Sequence, residues 1–211
     1  MYNYKYAKAF VLALTIPVLV CASSPIGRAQ PKRLALLRYK ASAHHRLNQL
    51  EQALLDAADV LERDNPCAGF FGGPQVSVSV LNALAEQIEV EPMPDSGMGV
   101  KMSGSFINHV DEQTGAAYRL FHHTNINLNG PFYRTKSFAE DRAVPYVGSF
   151  LPNTREARVL MLLHELAHLI AGPDGRWLIP DDGDDQGLSR KNTLTIEARC
   201  RDQIKEIRAA H

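Results

Sequence analysis

The feature that most constrains this chain is a pair of histidines and a glutamate inside an otherwise apolar helix. Residues 159–170 are Val, Leu, Met, Ala and Ile, interrupted only by His164, Glu165 and His168. A helix that is apolar on every side is buried in a folded domain. Polar and charged groups are costly to bury without partners. The segment therefore predicts a buried helix whose three polar residues share a specific partner.

The spacing of these residues indicates that the partner is a metal ion. Residues four apart lie one turn along the same helix face, so the imidazoles of His164 and His168 can reach one ion. Glu165 leaves the axis about 100° away, near the ion but off the line of ligands. There it can take a proton from a metal-bound water, the general-base role that H-E-x-x-H gives its glutamate. The alternative is a helix whose histidines are hydrogen-bonded to backbone.

Periodicity along the rest of the chain predicts an α+β domain. Leu and Ala at three- and four-residue steps predict a long helix over 31–64, which Asn65-Pro66 ends before a Gly-rich turn, CAGFFGGP. Residues 76–92 are compatible with a strand or a helix. Alternating patterns predict three strands further along, in the segments 99–110, 116–130 and 143–150.

The motif helix has predicted boundaries. Asn153 can cap its first turn and Glu156 completes a capping-box pattern. Gly172-Pro173 ends it, and a last helix is predicted over roughly 190–209. The expected architecture is a small, mostly antiparallel sheet on the buried H-E-x-x-H helix, with long N- and C-terminal helices.

The N-terminal segment predicts export. Lys5 and Lys8 precede an apolar run of twelve residues, 9–20, shorter than the roughly 20 that span a bilayer. Small residues follow, and a cut after Ala22 or Ala29 fits a signal peptide. We therefore expect 1–29 to be a signal, followed by one domain, 30–211, in which 30–66 is a helical arm. The alternative is an uncleaved N-terminal anchor.

The cysteine content and the charge balance further limit which compartment and which partners are expected for this protein. Export leaves Cys67 and Cys200 in an oxidising compartment, where two thiols most simply form a disulfide; the alternative is two separate buried thiols. The 23 Lys and Arg are balanced by 23 Asp and Glu. A protein that binds nucleic acid by neutralising phosphates has a basic excess, so no nucleic-acid partner is expected. No membrane span is expected after signal cleavage.

The motif helix, preceded by strands in an exported chain, resembles the zincin metallopeptidases over residues 120–180. The later segments LIPDDGDD and LSRKNT are also similar to uncharacterised secreted bacterial zincin-like proteins. The resemblance implies a zincin-like fold with Zn²⁺ held by His164, His168 and a third ligand. It implies peptide-bond hydrolysis with Glu165 as the general base, and a peptide or protein substrate.

The third ligand remains open among six carboxylates: Asp174, Glu197 and the four aspartates of the run 181–185. In zincins whose motif continues to a third ligand, that ligand corresponds to Asp174, although the turn glycine of that pattern falls on Ala171. In zincins with a glutamate ligand from a later helix, the only candidate is Glu197. Independently, Asp182-Gly183 offers a flexible turn that can return a carboxylate to the ion. The order of preference is Asp182, Asp181, Asp174, Glu197. A solvated acidic loop or a calcium loop would also explain the run 181–185.

Two other functions fit the same motif. One is a zinc amidase acting on a non-peptide or cell-wall amide, and the other is a secreted binding or structural protein whose metal is not catalytic. Some other residues are weaker candidates for the functional site: the surface pairs His44-His45 and His122-His123, Tyr133 and Tyr146 as oxyanion donors or packing residues, and Trp177 as a wall of the cleft.

Overall fold

The computed structural model describes residues 44–94, 97–137 and 142–209. The predicted signal 1–29 and the first part of the predicted helix 31–64 lie outside these residues. The described residues form eight elements in chain order: α1 (His44–Leu61), α2 (Pro66–Phe70), α3 (Pro74–Gln87), β1 (Ile88–Glu91), β2 (Val100–Val110), β3 (Ala117–Asn127), α4 (Arg155–Leu169) and α5 (Gln186–Ala209).

Helix α4 is the centre of the fold. Every residue from Ala157 to Leu169 is buried, and the helix contacts α1, α3, α5 and the strands β2 and β3. The predicted cap at Asn153 is wrong by one residue: the Thr154 side chain accepts from the Ala157 amide. Asn153 instead adopts a positive φ of 62° and accepts hydrogen bonds from Arg158. Burial on all sides explains why residues 159–169 of α4 are apolar except for His164, Glu165 and His168.

The sheet is small and mixed. Its strand order is β1-β3-β2, with β1 parallel and β2 antiparallel to β3. The longer pairing is the antiparallel one, as predicted, and the short parallel strand makes the sheet mixed. The strand predicted over 143–150 does not form. Gly148 has a positive φ of 58°, and Val147 and Phe150 instead exchange backbone hydrogen bonds across a tight turn.

The helices on the N-terminal side resolve two sequence ambiguities. Val76, Val80 and Leu84 are buried at four-residue steps, so the first part of 76–92 is helix and only its end is strand. The Gly-rich segment after Asn65 contains the short helix α2, whose Ala68 amide donates to the Asn65 side chain. The sequence predicted a simple turn here, and the structure has a short helix instead.

The last helix is longer than predicted and is tied to α2. It begins at Gln186 rather than near 190, because the Asp185 carboxylate accepts from the Leu188 amide, 3.0 Å away, at its first turn. Cys67 of α2 and Cys200 of α5 form the predicted disulfide, with an S–S distance of 2.01 Å. Within the described ranges, no helix combines the length and the apolar character needed to cross a membrane.

Candidate metal centre

Helix α4 places the two motif histidines one above the other. Their spacing of four residues brings His164 Nε2 to 3.1 Å from His168 Nε2. Both side chains are buried, with 8% of the His164 side chain and 4% of the His168 side chain exposed. The predicted convergence of the two imidazoles is therefore present in the folded chain.

A reversal of the chain after α4 returns a carboxylate to this point. Ala171 pairs with Trp177 in an antiparallel bridge, and the Leu178 amide donates to the Ile170 carbonyl at 3.1 Å. The chain then runs back past the buried Ile179 to Asp182. One Asp182 oxygen lies 3.1 Å from His164 Nε2, and the other lies 3.4 Å from His168 Nε2.

Helix α5 supports this arrangement from the other side. The Asn192 side chain donates to the Pro180 carbonyl at 2.9 Å and approaches Asp182 Oδ2 at 3.5 Å. Thr193 Oγ1 donates to the Ser189 carbonyl at 3.0 Å, so it accepts from His164 Nδ1, which is also 3.0 Å away. This network assigns the N–H of neutral His164 to Nδ1 and leaves the Nε2 lone pair pointing at Asp182.

The donor set fits a small tetrahedral cation. His164, His168 and Asp182 each offer one ligand atom, and these atoms all lie within 4.8 Å of one another. A zinc ion with bonds of about 2.0–2.1 Å holds its tetrahedral ligands about 3.3 Å apart, close to the 3.1 and 3.4 Å separations to Asp182. The lone pair of His164 Nε2 and the Asp182 carboxylate repel one another unless a proton or a cation lies between them. The arrangement therefore suits a positive ion.

Glu165 lies beside this group in a dry environment. Only 9% of the residue is exposed. Burial raises the pKa of Glu165 to about 7, with His164 acting in the opposite direction and the Asp182 carboxylate adding to the rise. Burial also acts to raise the pKa of Asp182, but the adjacent His164 and His168 rings outweigh it and leave that pKa well below its usual range. Near neutral pH, Asp182 is therefore ionised, whereas Glu165 is only partly ionised.

The other third-ligand candidates have different partners. Asp181 forms a two-pronged ion pair with Arg119. Asp174 is exposed, and its side chain accepts from the Arg176 amide within the turn. Glu197 accepts from the backbone and the hydroxyl of Ser149.

The acidic run does not converge as a calcium loop requires. Asp184 pairs with Lys101 at 3.4 Å and Asp185 begins α5, so the carboxylates of 181–185 face separate partners. Among the weaker candidates, His122, His123 and Tyr146 are exposed and Tyr133 is buried. The side chains of His44 and His45 lie outside the described part of the chain.

The sequence did not identify three residues that support the site. Asn192 and Thr193 lie near the start of α5, which the sequence places too late, and the segment LSRKNT indicates only a resemblance. Arg119 gave no indication at all, since one arginine in a strand pattern carries no information about a partner distant in sequence. An earlier start for α5, read from Asp185 as an N-cap, would have placed Asn192 and Thr193 in its second turn.

No family model matches this chain, and it has no significant match among curated proteins or solved structures. Any assignment of function to it therefore depends on its own residues and their geometry.

Proposed function

We propose that this protein is an exported, zincin-like, zinc-dependent hydrolase that cleaves peptide bonds. His164, His168 and Asp182 would hold the ion, and Glu165 would act as the general base. The observation that carries the proposal is the convergence of two histidine Nε2 atoms and one carboxylate at a single point, beside a buried glutamate. The Cys67–Cys200 disulfide supports export, because structural disulfides persist in oxidising compartments.

The number of donors favours catalysis over a purely structural site. Structural zinc is held by four protein ligands, whereas catalytic zinc has three and keeps one position for water or substrate. Within the described residues, the group contains three donors. Zinc bound there would supply a Lewis acid for the scissile carbonyl and make its bound water more acidic.

Each of the chain's own groups then has a defined task. The Glu165 carboxylate takes the proton of the attacking water, and its burial keeps competing solvent away. Thr193 fixes the His164 ring in the tautomer that presents Nε2. Asn192 holds the returning loop by the Pro180 carbonyl and approaches the Asp182 carboxylate.

Metal content tests the site. Purified protein without the signal is expected to hold about one zinc per chain, measured by elemental analysis after dialysis. His164→Ala and His168→Ala should each lose the ion. His122→Ala and His123→Ala, which remove exposed histidines, are the matched controls and should retain it. Stoichiometric zinc in both motif variants would reject the site.

Activity on a broad peptide library tests the chemistry. Glu165→Gln keeps the size of the side chain but cannot accept a proton, so cleavage should fall by about 10²-fold or more while zinc is retained. A variant as active as the wild type on a substrate the wild type demonstrably cleaves would reject Glu165 as the base.

Burial of the ligands favours a second candidate, a secreted binding or structural protein whose metal holds the fold. Only 14% of the Asp182 side chain is exposed. Chelation separates the two: a structural site should lose its fold with its zinc, whereas a catalytic site should lose activity and keep most of its structure. Circular dichroism before and after chelation is the measurement. A zinc amidase acting on a cell-wall amide would instead appear as zinc-dependent cleavage of that substrate and not of peptides.

A further inference from the structure

We infer that Arg119 is a positioning residue of the metal centre: its guanidinium joins α4 to the loop that carries Asp182. The inference rests on the proposed zinc site. It adds to that site a group that touches none of the three donor atoms yet fixes where two of them lie. Arg119 belongs to β3, so the sheet becomes part of the site.

The guanidinium of Arg119 makes two kinds of contact, one on each side of the site. Its Nε donates to the carbonyl of His168 at 2.9 Å. Its Nη1 donates to Asp181 Oδ2 at 3.1 Å, and its Nη2 donates to Asp181 Oδ1. A rigid, planar fork can satisfy both partners at once, which the single ammonium of lysine cannot do. The same group therefore holds the end of the motif helix and the residue next to Asp182.

The environment of Arg119 fixes its own orientation. The residue is 1% exposed, and its guanidinium lies 4.2 Å from the ring centroid of Trp177, 4.9 Å from that of Phe121 and 5.0 Å from that of Phe106. Cations are attracted to aromatic faces at these distances. A charge enclosed in this way has few alternative positions, so it can set the position of Asp181.

Asp181 connects the pair to the second histidine. Its Oδ1 lies 3.7 Å from His168 Nδ1, a buried atom with no hydrogen-bond partner among the described residues. Metal-binding histidines commonly direct their second ring nitrogen at a carboxylate, which orients the ring and strengthens the ligand. Arg119 holds that carboxylate in place, and Asp182 is its neighbour in the chain. Loss of the pair should therefore loosen His168 and Asp182 together.

The test measures zinc affinity by competition with a chromophoric chelator in Arg119→Met, Arg119→Lys and Asp181→Asn. Because the Asp181 side chain is 56% exposed, Asp181→Asn should fold even if Arg119→Met does not. Each variant should bind zinc about 10- to 100-fold more weakly than the wild type, the usual effect of losing a residue that supports a metal ligand. Arg119→Lys should not restore wild-type affinity.

The matched control is Arg155→Met, which breaks another two-pronged pair, with the buried Asp56, that joins α1 to the start of α4. It should lower the melting temperature and leave zinc affinity unchanged. A second readout uses Trp177, the only tryptophan in the chain: its emission should shift in both Arg119 variants and not in Arg155→Met.

The outcomes separate the inference from the function. Wild-type zinc affinity in Asp181→Asn and in both Arg119 variants would overturn the inference and leave the metal site standing. Equal losses of affinity in Arg155→Met and Arg119→Met would also overturn it, since general destabilisation would then explain both. A wild type that binds no zinc would instead reject the proposed function itself.

Discussion

Replacing Glu165 by glutamine should stabilise the metal-free protein, and the gain should depend on pH. Burial raises the pKa of Glu165 from 4.5 to about 7 in the folded chain. Each unit of difference between folded and unfolded states corresponds to about 1.4 kcal/mol, so the gap amounts to about 3 kcal/mol. Glutamine has no carboxyl to titrate, so the variant lacks this pH-dependent contribution.

The sign follows from which state ionises first. Below pH 4.5 the carboxyl is protonated in both states, and it contributes no pH dependence. As the pH rises from 4.5 to about 7, the unfolded chain ionises while the folded chain keeps the proton, so the free energy of unfolding falls. Above about pH 7 both states are ionised and the loss stays constant at about 3 kcal/mol.

The measurement is urea unfolding of chelator-treated wild type and Glu165→Gln, from pH 4 to pH 8 with the disulfide intact. It gives the difference in the free energy of unfolding between the two proteins at each pH. The amide of the variant has its own desolvation cost, but that cost is the same at every pH, so only the change in the difference matters. Glu206→Gln, which removes an exposed carboxylate, controls for the lost charge. A difference between wild type and Glu165→Gln that stays flat across this range would refute the burial argument.

Three further predictions concern the rest of the site and the fold. Asp182→Ala should weaken zinc binding by more than the roughly 100-fold that a supporting residue contributes, while Asp184→Ala should leave it unchanged; a chelator titration with the opposite order would move the ligand elsewhere in the acidic run. Replacing Cys67 and Cys200 by serine should lower the free energy of unfolding by about 5 kcal/mol, given their separation of 133 residues. Full labelling of both thiols in denatured, unreduced wild type would contradict the disulfide. Zinc affinity should fall as the pH is lowered, because protons compete with zinc for the two imidazoles; a chelator titration that gave the same affinity at pH 5 and at pH 7.5 would refute this.

The parts of the fold that follow a local pattern were predictable. The apolar run gave α4 as a buried helix, and alternation gave β2 and β3 close to their observed limits. The incorrect predictions have local geometric causes. Asn153 has a positive φ and the helix cap is Thr154, and the positive φ of Gly148 makes a turn where a strand was expected. These departures depend on single backbone angles, which a hydrophobic pattern does not record.

The candidate site also has residues that the sequence predicts and residues that it does not. His164, Glu165 and His168 share one helical repeat, so four-residue spacing alone brings the two imidazoles together. Among the four neighbouring aspartates, Asp182 is the predicted ligand because Gly183 allows the chain to turn there. The structure brings the Asp182 carboxylate to the imidazoles of His164 and His168. Arg119 and Thr193 reach the site only through tertiary packing. Such contacts between distant residues are set by the whole fold, and one sequence does not disclose them.

Helix α5 carries both a contact to the candidate metal centre and one half of the disulfide. Thr193 and Cys200 are seven residues apart, which is about two turns, so they lie on nearly the same face about 10 Å from each other. The helix that steadies His164 is therefore the one fastened to α2 by the disulfide. If the chain acts as proposed, reduction of the disulfide would remove a restraint on the helix that steadies His164.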